Sequence, residues 1–355
     1  MSTGPMNRWS DAEIADRLDA PDGASRSRVA AIDVHSHFLP PAYQEALREA
    51  GISRPDGYHD GVPRWSTPAH LEQMEQVGIE TAVVSISTPG VVLGGGVDPV
   101  RVARQANEAG ADLMREHPGR FGFYAALPLP DMDAALAELD RSTALGAWGV
   151  SLLTHTEGVY LGDPRLEPLF AELSRRGLTV LIHPTAPAVA VPGVMDGWSK
   201  SMYEFFFDTT RTVINLIFSG TLERHPGIRL VIPHAGAALP ALAQRIERNV
   251  WRANRIRAED RTELPGFLSS LRRCYFDLAG SVLPYQVPSL LSFVEDDHIV
   301  YGSDFPYTNA RMGSELNAEL RTADALTISQ KRAVLRGNAF ELFPHLAAEP
   351  VGAQA

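Results

Sequence analysis

Short apolar runs rich in Val, Ile and aromatic residues recur along the chain, each followed by a longer stretch in which apolar positions return at helical spacing. The runs are VAAIDVH ending at His35, ETAVVSI ending at Ile86, FGFYAAL ending at Leu127, AWGVSLL ending at Leu153, LTVLIHP ending at Pro184, IRLVIPH ending at His234, CYFDLAG ending at Gly280 and HIVYGSD ending at Asp304. Most are continuously apolar rather than alternating, as expected of parallel strands covered on their outer face. Helices are predicted between them at Pro68 to Val77, Asp131 to Leu145 and Pro164 to Arg176, closed by Gly78, Gly146 and Gly177. Eight strand and helix units are the number that closes a (β/α)8 TIM barrel. An open, doubly wound sheet is the alternative, but no Gly-rich phosphate loop follows the first strand.

No linker interrupts this alternation, so one barrel domain is expected over residues 29–345. A polar extension over 1–28 precedes it, containing a short helix SDAEIADRLDA with Ser10 as N-cap. A tail over 346–355 follows. The segment PGVVLGGGVDP after the second strand reads as the most flexible loop.

Composition narrows the function. Among the 355 residues the formal charge is −11, and the Arg-rich stretch from Arg245 to Arg261 is interleaved with acids, which argues against a nucleic-acid partner. With one cysteine, Cys274, there is neither an intrachain disulfide nor a thiolate cluster, so any metal must be held by nitrogen and oxygen. No apolar run approaches membrane-spanning length and the opening residues lack the apolar core of a signal peptide, so a cytoplasmic protein with no membrane partner is expected.

In a barrel the chemistry sits at the carboxyl ends of the strands. There the first strand carries His35 and His37, two residues apart and therefore pointing the same way. The fifth ends in His183, the sixth in His234 and the eighth in Asp304. Each alone is an ordinary structural residue, but five on one rim suggest a divalent cation held by imidazoles and one carboxylate, with a position left open. That donor set suits Zn²⁺ first and Mn²⁺ or Fe²⁺ after it. A second metal would need a bridging group such as a carboxylated lysine or a glutamate on the fourth strand, and AWGVSLLTH offers neither, so one ion is expected. His155, just past that strand, has no assigned role.

The motifs DVHSHFLPP, ALPLPD, GVYLGDPRLEPLFAEL, VLIHPT, FFFDTTRTVINLIFSGTLERHPGIRLVIPHAGAALPALAQRI and YGSDFPYT together resemble the metal-dependent amidohydrolase superfamily. Within it they look like the aminocarboxymuconate semialdehyde decarboxylase branch, and most like the 6-methylsalicylate and other ortho-hydroxybenzoate decarboxylases. The resemblance implies that His35, His37, His183 and Asp304 ligate the metal, and that His234 and Asp304 are catalytic. It also places Arg64 and Trp198 at the substrate and implies a homodimer; Tyr203 is a further substrate-wall candidate from its place in GWSKSMYEFFFDTT. One departure is HAGA where relatives often carry HAGG; Ala237 there calls for a less permissive backbone than glycine.

The implied reaction is non-oxidative decarboxylation of a small aromatic or related unsaturated acid. The ion would bind the carboxylate and neighbouring hydroxyl, and Asp304, exchanging a proton with His234, would protonate the ring carbon. Phe205 to Phe207 would join Trp198 and Tyr203 in the apolar wall, the alternative being that YEFFFD is the start of a buried helix. The same residues also suit hydrolysis of a lactone, amide or carbon–carbon bond by metal-activated water, and a metal-stabilised binding barrel is the third class.

Overall fold

The computed structural model describes residues 29–58, 61–256 and 264–347. The helix expected around Ser10 and most of the expected tail lie outside them. Eight strands form one sheet in sequential order: β1 (Ala31–His37), β2 (Ile79–Ser85), β3 (Phe121–Ala125), β4 (Gly149–Leu153), β5 (Thr179–His183), β6 (Arg229–Ile232), β7 (Tyr275–Asp277) and β8 (Ile299–Val300). Every pairing in it is parallel.

The edges meet through backbone hydrogen bonds, with Val34 N donating to Tyr301 O at 2.9 Å, Asp304 N to His35 O at 2.8 Å and His37 N to Phe305 O at 2.7 Å. The sheet is thus closed into the expected barrel. A small antiparallel ribbon, His155–Thr156 against Val159–Tyr160, sits after β4. There His155 is spent on local structure: one ring nitrogen lies 2.8 Å from Ala186 O, and the other accepts from Gly158 N.

The punctuation residues act as anticipated. Thr67–Val77 is capped by Ser66 and ends on Gly78 at φ 76°; Met132–Ala144 is capped by Asp131. Glu167–Arg176 ends on Gly177 at φ 62°, a left-handed conformation that glycine enters without a Cβ penalty. Two apolar layers follow from the strand geometry. The larger lies between sheet and helices. Inside the barrel, Ile32, Val34, Val83, Tyr124, Leu181, Val231 and Val300 pack together with Leu342 and Phe343 at the end of the Ala339–Leu342 helix, filling the end away from the site. Among the described residues no helix is long and apolar enough to cross a membrane.

His70 is fully buried on the Thr67–Val77 helix, packed against Phe121 and Phe305. Its Nδ1 accepts from Trp65 Nε1 at 3.1 Å, and its Nε2 has no partner. Burial pushes its pKa down to about 3, so the folded protein holds it neutral where the unfolded chain takes up a proton near the ordinary 6.5. Its contribution to stability is therefore complete above pH 6.5 and is lost as pH falls below that value, amounting to roughly 2 kcal/mol by pH 5. Urea unfolding at pH 7.5 and pH 5 should give a steeper acid loss for the native chain than for His70→Gln, which keeps an acceptor for Trp65 and cannot titrate; parallel losses would refute this.

Candidate metal centre and active site

Ile32 and Val34 face the inside of the barrel, so strict alternation would turn His35 and His37 outward. A β-bulge prevents this. Asp33 pairs with Ala82 but Ser36 with Val84, so β1 spends three residues where β2 spends two, and His37 falls opposite Ser85. The extra residue resets the phase and aims both histidines into the mouth of the barrel, a common use of bulges beside active sites. The backbone is close-packed here: a Cβ on Gly302 would lie 2.8 Å from the Cβ of His35. Asp33 fastens the bulge across the seam, accepting from Ser303 Oγ at 2.5 Å, Ser303 N at 3.0 Å and His35 N at 3.1 Å.

His35, His37, His183 and Asp304 converge, each offering one donor atom, and these atoms all lie within 4.8 Å of one another. The outer nitrogen of every imidazole is engaged elsewhere. His35 Nδ1 lies 2.8 Å from Asp277 Oδ2, His37 Nδ1 3.0 Å from Ser85 Oγ, and His183 Nδ1 2.7 Å from Pro184 O. Each ring thus presents Nε2 to the cluster, the orientation in which metal-binding imidazoles are held. His35 Nε2 is buried with no hydrogen-bond partner and stands 3.6 Å from Asp304 Oδ1; His37 Nε2 stands 3.0 Å from the same oxygen. An orphaned, buried imidazole nitrogen beside a carboxylate fits one divalent ion, and three nitrogens with one oxygen leave room for an exogenous ligand.

Charge within the cluster is strongly biased. Burial would raise Asp304, but its hydrogen bond to His37 and the nearby imidazoles hold it well below the usual carboxylate range. Burial would lower His35, yet Asp277 and Asp304 lift it to about 9. Burial pushes the imidazoles of His37 and His183 down from their ordinary value. Asp33 is pushed by burial up to about 7.

His234 stands next to the cluster, its ring centroid 5.4 Å from that of His35 and stacked on Phe206 at 5.7 Å. Its turn is unusual: His234, Ala235 and Ala237 have φ of 56°, 50° and 55°. Ala237 therefore holds a positive φ, where a less permissive backbone than glycine's was expected. The cause is a clamp from outside: Gln286 Nε2 donates to His234 O at 2.5 Å and Ala237 O at 2.8 Å. From the other side, Asp277 Oδ1 accepts from His234 N at 3.0 Å. One carboxylate thereby orients both His35 and His234.

A cavity of about 390 Å³ opens onto the cluster, a volume within the range of small-molecule sites. His183, His234 and Asp304 line it with Phe205, Phe206 and Tyr307. Tyr203 lies one residue before the Glu204–Phe218 helix that brings in both phenylalanines, and is not itself in the lining. Trp198 and Phe207 are about half exposed and also outside it. Arg64 is exposed and likewise does not reach the cavity wall. Asp277, Gln286 and Asp56, another lining residue, were not anticipated. Asp277 left a trace as a carboxylate inside the apolar run CYFDLAG, whereas the others depend on contacts between distant segments.

A family profile described as Amidohydrolase matches residues 32–345. The chain is 35% identical over 329 residues to the 6-methylsalicylic acid decarboxylase of Penicillium expansum, covering 90% of this chain and 97% of that one. A crystal structure of an amidohydrolase superposes with a TM-score of 0.82 at 34% identity, covering 88% of this chain and 99% of the other. A dihydroxybenzoic acid decarboxylase from Polaromonas sp. JS666, solved with bound manganese and the inhibitor 2-nitroresorcinol, superposes at 0.74 with 20% identity over 89% and 97% of the two chains, a likeness of fold.

An amide at position 277 could offer its oxygen to His35 Nδ1 or to the backbone N–H of His234, but not to both. Asp277→Asn should weaken metal binding roughly 10- to 100-fold, as measured by chelator competition. An unchanged affinity would remove Asp277 from the support of the site.

Proposed function

The chain belongs to the amidohydrolase family, and on that premise we propose that it is a metal-dependent decarboxylase of small aromatic acids carrying a hydroxyl next to the carboxylate. The observation that carries this reading is that the cluster opens directly into a cavity walled by Phe205 and Phe206 and bordered by Asp304 and His234. Such a site takes a flat ring and delivers protons to it. The curated relative from Penicillium expansum acts, by its name, on an acid of this class.

Bound by His35, His37, His183 and Asp304, a divalent ion supplies a Lewis acid and a template for the carboxylate and hydroxyl oxygens. The ring carbon that loses carbon dioxide must gain a proton. Asp304 is the carboxylate that both lines the cavity and contacts the imidazoles, and we assign it that proton transfer; held ionised in the resting site, it carries the proton only transiently, as a strong acid. His234, held from both ends of its backbone, exchanges the proton with Asp304. Phe205 and Phe206 exclude water, so the proton comes from placed groups rather than from solvent.

We assign Zn²⁺ as the resident ion because three imidazoles and one carboxylate are its preferred donors. Manganese, present in the Polaromonas structure, is the competitor. Elemental analysis of protein purified without added metal should return one zinc per chain, and manganese alone would reverse the assignment. The single cysteine is buried, which suits the cytoplasm, and the family resemblance implies a homodimer, measurable by sedimentation.

Metal-loaded protein should release carbon dioxide from salicylate-type acids. Turnover confined to lactones or amides would overturn the decarboxylase. His234→Asn should lower kcat by about 10²- to 10⁴-fold with metal content unchanged, and Asp304→Asn should abolish turnover. Normal turnover by either variant would refute its assigned role.

A further inference from the structure

Asp56 lies in the loop after β1 and lines the cavity. It adopts a left-handed backbone at φ 47° that holds it over the ends of two strands. Its Oδ2 accepts from Thr88 Oγ1 beyond β2, and from Thr185 Oγ1 and Ala186 N beyond β5, the latter two at 3.1 Å. Among the described residues Oδ1 has no donor, although the side chain forms part of the wall. No arginine or lysine stands among the described lining residues. Lys200 sits between two of them, Ser199 and Ser201, without joining them, and Arg64 is on the surface. Away from the metal cluster the described wall therefore combines hydroxyl groups, aromatic rings and the apolar side chains of Met202, Met312 and Leu316 with a single carboxylate, Asp56.

An aromatic acid can arrive with one carboxylate or two. The first has the metal centre to receive it; a second would meet no cation and would face Asp56. Bringing like charges together in a partly desolvated site is unfavourable. A ring hydroxyl, by contrast, can donate to the open Oδ1. We infer that the cavity selects aromatic monocarboxylates and that Asp56 is the residue that rejects a second carboxylate. This inference rests on the decarboxylase reading and narrows its substrate class.

The test uses the full, metal-loaded chain with paired ring acids that differ only in carrying a hydroxyl or a second carboxylate away from the reacting group. The hydroxyl member should show kcat/KM higher by roughly 100-fold. Asp56→Asn, which keeps an oxygen for Thr88, Thr185 and Ala186, should narrow that gap at least tenfold, mainly through the KM of the dicarboxylate. Asp56→Ser serves as a second variant, and thermal melting confirms that each is folded. Equal kcat/KM values for the pair in the native chain would overturn the inference, and an unchanged gap in a folded variant would overturn the role of Asp56. If no ring acid is turned over, the decarboxylase reading fails by itself. Calorimetric affinities for salicylate and 4-hydroxyisophthalate then decide the charge selection separately: tighter binding of the monocarboxylate supports it and equal binding overturns it.

Discussion

Three imidazoles and a carboxylate meet at one buried point, and each imidazole turns Nε2 inward because its Nδ1 is already bonded to Asp277, Ser85 or Pro184. Groups of this kind are costly to take out of water unless they are paired or bind a cation. The outer partners supply part of that compensation and fix the tautomers. Much else follows from this constraint. The bulge in β1 aims two ligands, Asp33 fastens the bulge, Asp277 divides its oxygens between His35 and His234, and Gln286 holds a backbone conformation that alanine and histidine rarely adopt.

The barrel was legible because its signals are local. Continuous apolar runs, prolines at helix starts and glycines past helix ends recur often enough to count eight units, and the positions of His183, His234 and Asp304 follow from the strand ends. His35 and His37 were also legible as a pair, though for an incomplete reason. Two residues apart on a strand share a direction, but which direction depends on the bulge, and nothing in AAIDVHSH announces it. Their inward aim is a property of the register with β2.

The substrate wall was less legible because loops carry it. Arg64 and Trp198 were placed there by resemblance and Tyr203 by its aromatic neighbours, and loop length decides where such residues fall. Asp56 reaches the cavity because a left-handed turn and three donors from the segments just beyond β2 and β5 hold it there, and no short window of sequence encodes that arrangement. Gln286 is similar: it acts at a distance of about fifty positions on the turn of His234. Rigid strand ends thus hold the charged cluster while the loops determine what may approach it.

The backbone bonds that close the barrel fall on the site itself, since Asp304 N donates to the carbonyl of His35. His37 and Asp304 are 267 positions apart. During synthesis the early histidines therefore leave the ribosome long before their carboxylate exists, and a nascent chain has no complete nest in which to trap an ion. The four-donor centre exists only once the final seam has knit, so its assembly belongs to the last stage of barrel closure.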